Sequence, residues 1–137
     1  LAFLFALPRI NNPNKALFAR LKAAGIECID GHANLAQHFH PHITIVVDGL
    51  EEPIPARVGD VTGCMAELHT HDTTGTLHIE TLAPREVRLK EFFIVWDRSI
   101  EREGYNFTMT VDGKSTTAFG ELLLKDKQKI ILEYKSK

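Results

Sequence analysis

The sequence lacks a strong excess of charge of either sign, and this balance argues against one large class of partners. Its 137 residues include 16 Lys and Arg against 18 Asp and Glu, which gives a formal net charge of −2 at pH 7. Basic and acidic residues are mixed along the whole chain, so there is no basic stripe that would follow a phosphate backbone. We therefore expect no nucleic-acid partner.

Motifs that identify several common enzyme classes are also missing. The chain has no glycine-rich phosphate loop, no Gly-x-Ser-x-Gly nucleophile elbow and no His-Glu-x-x-His zinc-protease motif. A blue-copper site is disfavoured, because neither cysteine lies in a late loop with a His and a Met downstream.

Cysteine is scarce, with only Cys28 and Cys64 in the chain. Two cysteines are too few for a disulfide-framed miniprotein, and their spacing matches no compact zinc motif of the Cys-x-x-Cys type. They form either one disulfide or two buried thiols. A disulfide closing a loop of this size would stabilise the fold by about 3 to 4 kcal/mol and would place the protein outside a reducing cytosol. We expect a secreted or membrane-anchored extracytoplasmic protein.

The N-terminal residues 1–8 form an apolar run that is too short to span a bilayer. The run is interpreted as the remnant of a signal or anchor, as a strap on the core, or as an arm that contacts a neighbouring subunit. Residues 13–24 then carry Leu17, Phe18 and Leu21 at helical spacing, and Gly25 ends the predicted helix. The predicted organisation is an apolar segment with a short helix over 1–25 and a single histidine-rich domain over 26–137, in which His32 is an ordinary surface histidine.

Histidine is the abundant residue, with six of the seven between positions 38 and 78. Residues 38–47 alternate in period two, which predicts one strand with His38, His40 and His42 on one face. Pro41 has no N–H to donate, so the start of this strand should lie at a sheet edge or a bulge. Asp48–Gly49 predicts a turn, and residues 54–58 a return strand.

Residues 67–80 predict a β-hairpin around a four-residue turn at 72–75. In this register His69 lies opposite His78, His71 opposite Thr76, and Glu67 opposite Glu80. Three apolar residues, Leu68, Leu77 and Ile79, then point into the core, and the histidines and glutamates share the other face. A shift by one residue would bury His78 and expose its apolar neighbours.

The remaining chain predicts a helix over 87–100, strands at 107–111 and 129–134, and turns at 112–114 and 125–127. Strands, one long helix and further strands indicate an α+β domain with an antiparallel or mixed sheet. We favour a β-grasp-like arrangement with the helix packed across the sheet. A β-sandwich with two helices is the alternative.

The clustered histidines predict a transition-metal site. Histidines at positions i and i+2 of a strand point the same way, and a cross-strand neighbour brings a third imidazole close. The primary ligand candidates are His69, His71 and His78, followed by His40, His42 and His38. Zinc and copper favour imidazole, whereas calcium and magnesium prefer oxygen ligands. The alternative is that these histidines merely fill the polar outer face of a half-buried sheet.

Two glutamates, Glu67 and Glu80, lie on the same predicted face as the histidines. They are candidates to accept an N–H from a ligand histidine or to act as a general base. The alternative is that both are solvated carboxylates.

Two resemblances follow from these motifs. Gly63, five intervening residues and His69-Thr70-His71 resemble the opening of the cupin metal motif, although the glutamate that follows in cupins has no counterpart at the required spacing. The combination of His38-Phe39-His40-Pro41-His42, Leu68-His69-Thr70-His71-Asp72 with Gly75, and Glu91-Phe92-Phe93 with Trp96 is similar to a group of small, secreted archaeal and bacterial proteins without an assigned activity. This second resemblance spans about residues 25 to 135 and implies an extracytoplasmic metal-binding domain.

Three functions remain open. The first is a domain that binds zinc or copper for carriage, sensing or structure. The second is a metal-dependent enzyme in which a three-histidine site activates water or oxygen, with Glu80 or Glu67 assisting proton transfer. The third is a subunit of an envelope or filament assembly joined through residues 1–8.

Overall fold

The chain forms a mixed α+β domain, which confirms the predicted fold class. The computed structural model describes residues 13–31 and 33–137, so the predictions for residues 1–8 and for His32 lie outside the described residues. The helices are α1 (Pro13–Ala24), α2 (Leu89–Trp96) and a 3-10 helix (Phe119–Glu121). The strands are β1 (Cys28–Ile29), β2 (Gln37–Phe39), β3 (His42–Val47), β4 (Leu50–Glu52), β5 (Asp60–Val61), β6 (Cys64–Ala66), β7 (Leu68–His69), β8 (His78–Thr81), β9 (Tyr105–Val111), β10 (Lys114–Thr116) and β11 (Lys129–Ser136).

Helix α1 occupies the predicted residues and ends before Gly25, which has a φ of 71° that favours glycine. Its Leu17 and Leu21 side chains are buried in the same core as Phe92 of α2. Burial of these leucines therefore holds the helix against the rest of the domain.

The largest sheet among the described residues has five strands, in the order β10-β9-β11-β3-β4. Strand β11 is parallel to β3 and antiparallel to β9, and it extends the predicted strand by two residues. The predicted Asp48–Gly49 turn is confirmed, but the return strand is β4, not residues 54–58. Both turn residues have positive φ, a two-residue geometry that pairs Val47 directly with Leu50.

The strand predicted over 38–47 is wrong as a single element. It is divided into β2 and β3, which belong to different sheets. Between them, His40 accepts a hydrogen bond from Lys127 N–H, and Pro41 accepts one from Leu77 N–H. Because Pro41 has no N–H, the chain leaves one sheet at this point and enters the other.

The histidine-bearing sheet has the order β2-β8-β7, with β8 in the centre. The predicted register is confirmed where the strands pair, since Leu68 lies opposite Ile79 and His69 opposite His78. The predicted pairing of His71 with Thr76 is wrong, because Thr76 bridges to His42 of β3 instead. The hairpin loop is therefore wider than four residues and docks against the five-stranded sheet.

Gly75 explains why this loop docks so closely. Its φ is +89°, its carbonyl accepts a hydrogen bond from Ile43 N–H at 2.9 Å, and a Cβ at this position would lie 2.1 Å from the Ile43 carbonyl oxygen. Only glycine permits this approach, so the contact with β3 fixes the path of the loop.

A disulfide joins Cys28 of β1 to Cys64 of β6, which decides between the two alternatives for these cysteines. The two strands also pair directly within the sheet β1-β6-β5. Strand β6 leads into β7, so the crosslink lies just before the first histidine of the hairpin.

The long helix predicted over 87–100 is wrong in its extent, because α2 has only eight residues. Arg88 is extended and bridges to Leu123, with hydrogen bonds from Leu124 N–H to the Val87 carbonyl and from Leu89 N–H to the Leu122 carbonyl. At the other end, Asp97 adopts a left-handed conformation with a φ of 60° and caps the helix. A β-grasp-like packing of a long helix across a sheet is therefore not shown.

Candidate metal centre

The histidines converge on one face of the sheet β2-β8-β7. His78 and Glu80 are two residues apart on the central strand β8 and so point to the same side. His69 of β7 lies opposite His78, and His38 of β2 lies opposite Glu80. The cross-strand register thus brings side chains from three strands together.

A first group comprises His69, His71, His78 and Glu80, whose potential ligand atoms lie within 4.8 Å of one another. The His71 ring centroid is 4.3 Å from that of His78 and 4.8 Å from that of His69. His71 reaches the group although it lies in the hairpin loop, outside the paired strands. Three imidazoles and one carboxylate therefore form a group that could hold a metal ion.

His69 is the most constrained member of this group. Its side chain is fully buried, and its Nδ1 lies 2.7 Å from the Ala66 carbonyl oxygen. A carbonyl can only accept, so Nδ1 carries the proton and donates it. In the neutral ring, Nε2 is then unprotonated and lies 2.9 Å from Glu80 Oε2, in a contact that does not have hydrogen-bond geometry.

His71 has a carboxylate behind it. Its Nδ1 lies 3.6 Å from Asp60 Oδ2, and its side chain is 39% exposed. An acidic group next to one imidazole nitrogen orients the ring and leaves the other nitrogen available as a ligand. Asp60 was not predicted from the sequence, since no periodic pattern connects it to the hairpin.

A second group comprises His38, His40 and His78, so His78 belongs to both groups. The His40 ring centroid lies 4.8 Å from that of His38 and 4.7 Å from that of His78. This group is more open, with the His38 side chain 43% exposed. Glu80 Oε1 lies 3.6 Å from His38 Nε2, so the carboxylate contacts both groups.

Burial keeps two of these imidazoles in the neutral form. Burial, together with the neighbouring His71, His69 and His40 rings, lowers the pKa of His78 to about 4 against the opposing effect of Glu80. Burial also lowers the pKa of His69, against the opposing effects of the Ala66 carbonyl and Glu80. A metal ligand must offer a neutral imidazole nitrogen, so both rings are suited to bind at neutral pH.

Two predicted site residues lie outside these groups. His42 Nε2 donates a hydrogen bond to the Thr74 carbonyl oxygen at 2.7 Å and so supports the hairpin loop. Glu67 is buried, accepts hydrogen bonds from Arg85 at 3.1 Å and from Glu27 N–H at 2.9 Å, and thereby joins an ion pair. No sequence pattern predicted that Arg85 would pair with Glu67, or that the Ala66 carbonyl would accept a hydrogen bond from His69.

The interpretation of this face as a merely solvated polar surface is wrong for its central residues. His69 and Glu80 have no exposed side-chain area, and Glu67 is only 3% exposed. Residues that only form a solvated outer face would be exposed, so these three side chains have a different role.

None of the helices in the described ranges is long and apolar enough to cross a membrane. Comparison with family models, with curated proteins and with solved structures found no match to this chain.

Proposed function

We propose that this protein is an extracytoplasmic domain that binds zinc or copper through His69, His71, His78 and Glu80. The observation that carries the proposal is the contact between His69 Nε2 and Glu80 Oε2, both fully buried and 2.9 Å apart. The potential ligand atoms of the whole group lie within 4.8 Å of one another.

A bound cation would explain this contact. An unprotonated imidazole nitrogen and a carboxylate oxygen 2.9 Å apart repel each other, and the repulsion is strong where water is excluded. A proton on Nε2 would relieve it, but burial lowers the pKa of His69 and so disfavours the doubly protonated ring. A metal ion relieves the repulsion without that proton and accepts both lone pairs.

The ligand types favour zinc or copper. Imidazole suits both metals, and a single carboxylate is a common fourth ligand to zinc. Calcium takes six to eight oxygen ligands and magnesium demands an octahedron of oxygens, which three imidazoles do not provide. Separate loading of the protein with zinc and with copper(II) distinguishes the two metals.

An extracytoplasmic location is supported by the Cys28–Cys64 disulfide, since such bonds persist mainly in oxidising compartments. The resemblance of the histidine motifs to small secreted proteins points the same way and stays a prediction.

A binding role is favoured over catalysis. The enzymatic hypothesis assigned proton transfer to Glu80 or Glu67, but Glu80 lies within the ligand group and Glu67 is paired with Arg85. Neither carboxylate is placed as a separate general base next to the imidazoles. The assembly hypothesis depends on residues 1–8 and stays a prediction.

Metal analysis tests the proposal. Untagged protein is stripped with a chelator, dialysed separately against zinc and copper(II), and measured by elemental analysis. We expect at least one equivalent of one metal, a large loss of affinity in His69→Ala and His78→Ala, and no change in His42→Gln, which keeps a donor for the Thr74 carbonyl. Circular dichroism confirms that each variant is folded.

Less than about 0.2 equivalents of either metal bound to folded wild-type protein would overturn the proposal. Equal affinity in His69→Ala and wild type would place the metal elsewhere and overturn the assignment of ligands.

A further inference from the structure

The two histidine groups have His78 in common, and Glu80 contacts both of them. His78 lies between them, with its ring centroid 4.3 Å from that of His71 and 4.7 Å from that of His40. The two oxygens of Glu80 contact different groups, Oε2 at 2.9 Å from His69 Nε2 and Oε1 at 3.6 Å from His38 Nε2.

We propose that this sheet face holds two metal ions, with Glu80 as the shared carboxylate and the second ion bound by His38 and His40. The inference rests on the proposed function, because it takes the first ion to be bound by His69, His71, His78 and Glu80. The ligand is a second transition-metal ion of the imidazole-binding kind.

The register of the sheet provides the geometric reason. His38 lies directly opposite Glu80 on the neighbouring strand, and His69 lies opposite His78 on the other side. The central strand β8 thus presents its carboxylate to imidazoles from both neighbours. A carboxylate flanked in this way can give one oxygen to each of two ions, a common arrangement where two ions lie about 3.5 to 4 Å apart.

Charge supports the same assignment. All five histidines of the two groups are neutral ligands when deprotonated, so Glu80 is their one anionic member. An anion shared between two cations reduces their repulsion, which a neutral ligand at this position would not do.

The two ions differ in exposure. The first lies next to the fully buried His69, whereas the second lies next to His38, whose side chain is 43% exposed. The second ion also has fewer protein ligands, which leaves coordination positions for water or a small solute. We expect it to bind more weakly and to exchange faster than the first.

Copper(II) alone serves as the probe. Stripped protein is titrated with copper(II), and both the bound equivalents and the electron paramagnetic resonance intensity are measured. We expect two equivalents in wild type, and a spin intensity per copper that falls when the second equivalent binds, because a bridged pair of copper ions couples magnetically. The double variant His38→Gln/His40→Gln should bind one equivalent with full intensity.

A matched control comes from the same segment. His42→Gln changes a histidine two residues from His40 that lies in neither group, so this variant should retain two equivalents and the reduced intensity.

The alternative outcomes are distinguishable. A single equivalent in wild type that the double variant leaves unchanged would overturn the second site while the first stands. A single equivalent that the double variant weakens would show one ion bound by the whole cluster, which also overturns the inference. Two equivalents with additive spectra would overturn the shared carboxylate. No bound copper would overturn the inference, and it would overturn the proposed function as well only if zinc also fails to bind in the dialysis test.

Discussion

Two histidine triplets have different outcomes in this fold. His69, His71 and His78, from the hairpin and its loop, converge into one group. The triplet His38, His40 and His42 also alternates in sequence, but only its first two members meet the hairpin histidines. Alternation places side chains on one face only as long as the strand continues, and Pro41 ends that continuity.

The two ends of the cluster also differ in burial. At the hairpin end, His69 and Glu80 have no exposed side-chain area, whereas at the β2 end 43% of the His38 side chain is exposed. A buried, hydrogen-bonded ligand is held in one geometry before the metal arrives, which favours tight binding. An exposed ligand has more freedom to lose, so we expect weaker binding at the β2 end.

The substitution Glu80→Gln should have the largest effect. It removes the anionic ligand at the buried end, and we expect metal affinity to fall by at least about 100-fold. The amide of Gln can donate a hydrogen bond to His69 Nε2, so the metal-free variant should unfold at the same or a higher temperature than metal-free wild type. Chelator competition measures the affinity and calorimetry the unfolding temperature.

His38→Gln is the matched comparison for this prediction, because it changes the exposed partner of the same carboxylate. His38→Gln should lower the affinity for the first metal ion far less than Glu80→Gln does. If Glu80→Gln keeps wild-type affinity, or if it instead strongly destabilises the metal-free protein, the carboxylate has a structural role and the comparison between the two ends is wrong.

Removal of the Cys28–Cys64 disulfide tests how much this crosslink stabilises the fold next to the hairpin. The double variant Cys28→Ser/Cys64→Ser should lower the free energy of unfolding by about 2 to 4 kcal/mol, because the unfolded chain gains freedom. Denaturant titration of the metal-free proteins measures this change. An unchanged midpoint would mean that the pairing of β1 with β6 suffices to hold the strand before His69.

The pH dependence of the metal-free protein should report the buried histidines. The pKa of His78 is about 4 in the folded state against 6.5 for an ordinary histidine, so between these values the unfolded state binds the additional proton. This contribution to stability is complete above about pH 6.5 and is lost progressively as the pH falls to about 4. His78→Gln should flatten this part of the stability profile, and an unchanged profile would contradict the pKa of His78.

The sequence predicted the hairpin end well for a physical reason. Leu68, Leu77 and Ile79 must be buried, and a shift by one residue would expose them, so the cross-strand pair of His69 and His78 followed from local pattern alone. Helix α1 and the strands β9 and β11 were predicted for the same reason, since their periodicity is local.

What the sequence could not provide depends on distant contacts. The break at Pro41 is fixed by partners at Leu77, Lys127 and Gln128, and the burial of Glu80 depends on a sheet that brings β2 next to β8. The helix over 87–100 was predicted too long because the extended pairing of Arg88 with Leu123 overrides its apolar periodicity. Asp60 reaches His71 through tertiary structure alone.

The smallest effect is expected from Asp60→Asn, which changes a residue behind a ligand of the first ion. The carboxylate lies 3.6 Å from His71 Nδ1. Loss of its charge should lower the affinity for the first metal ion by about tenfold and leave the number of bound ions unchanged. Asp126→Asn is the matched control, because Asp126 accepts a hydrogen bond from His40 N–H at the β2 end and the amide oxygen preserves that acceptor. Chelator competition on both variants separates the two ends: a loss confined to Asp60→Asn supports the orientation of His71 by Asp60, whereas equal losses would mean that overall surface charge determines the affinity.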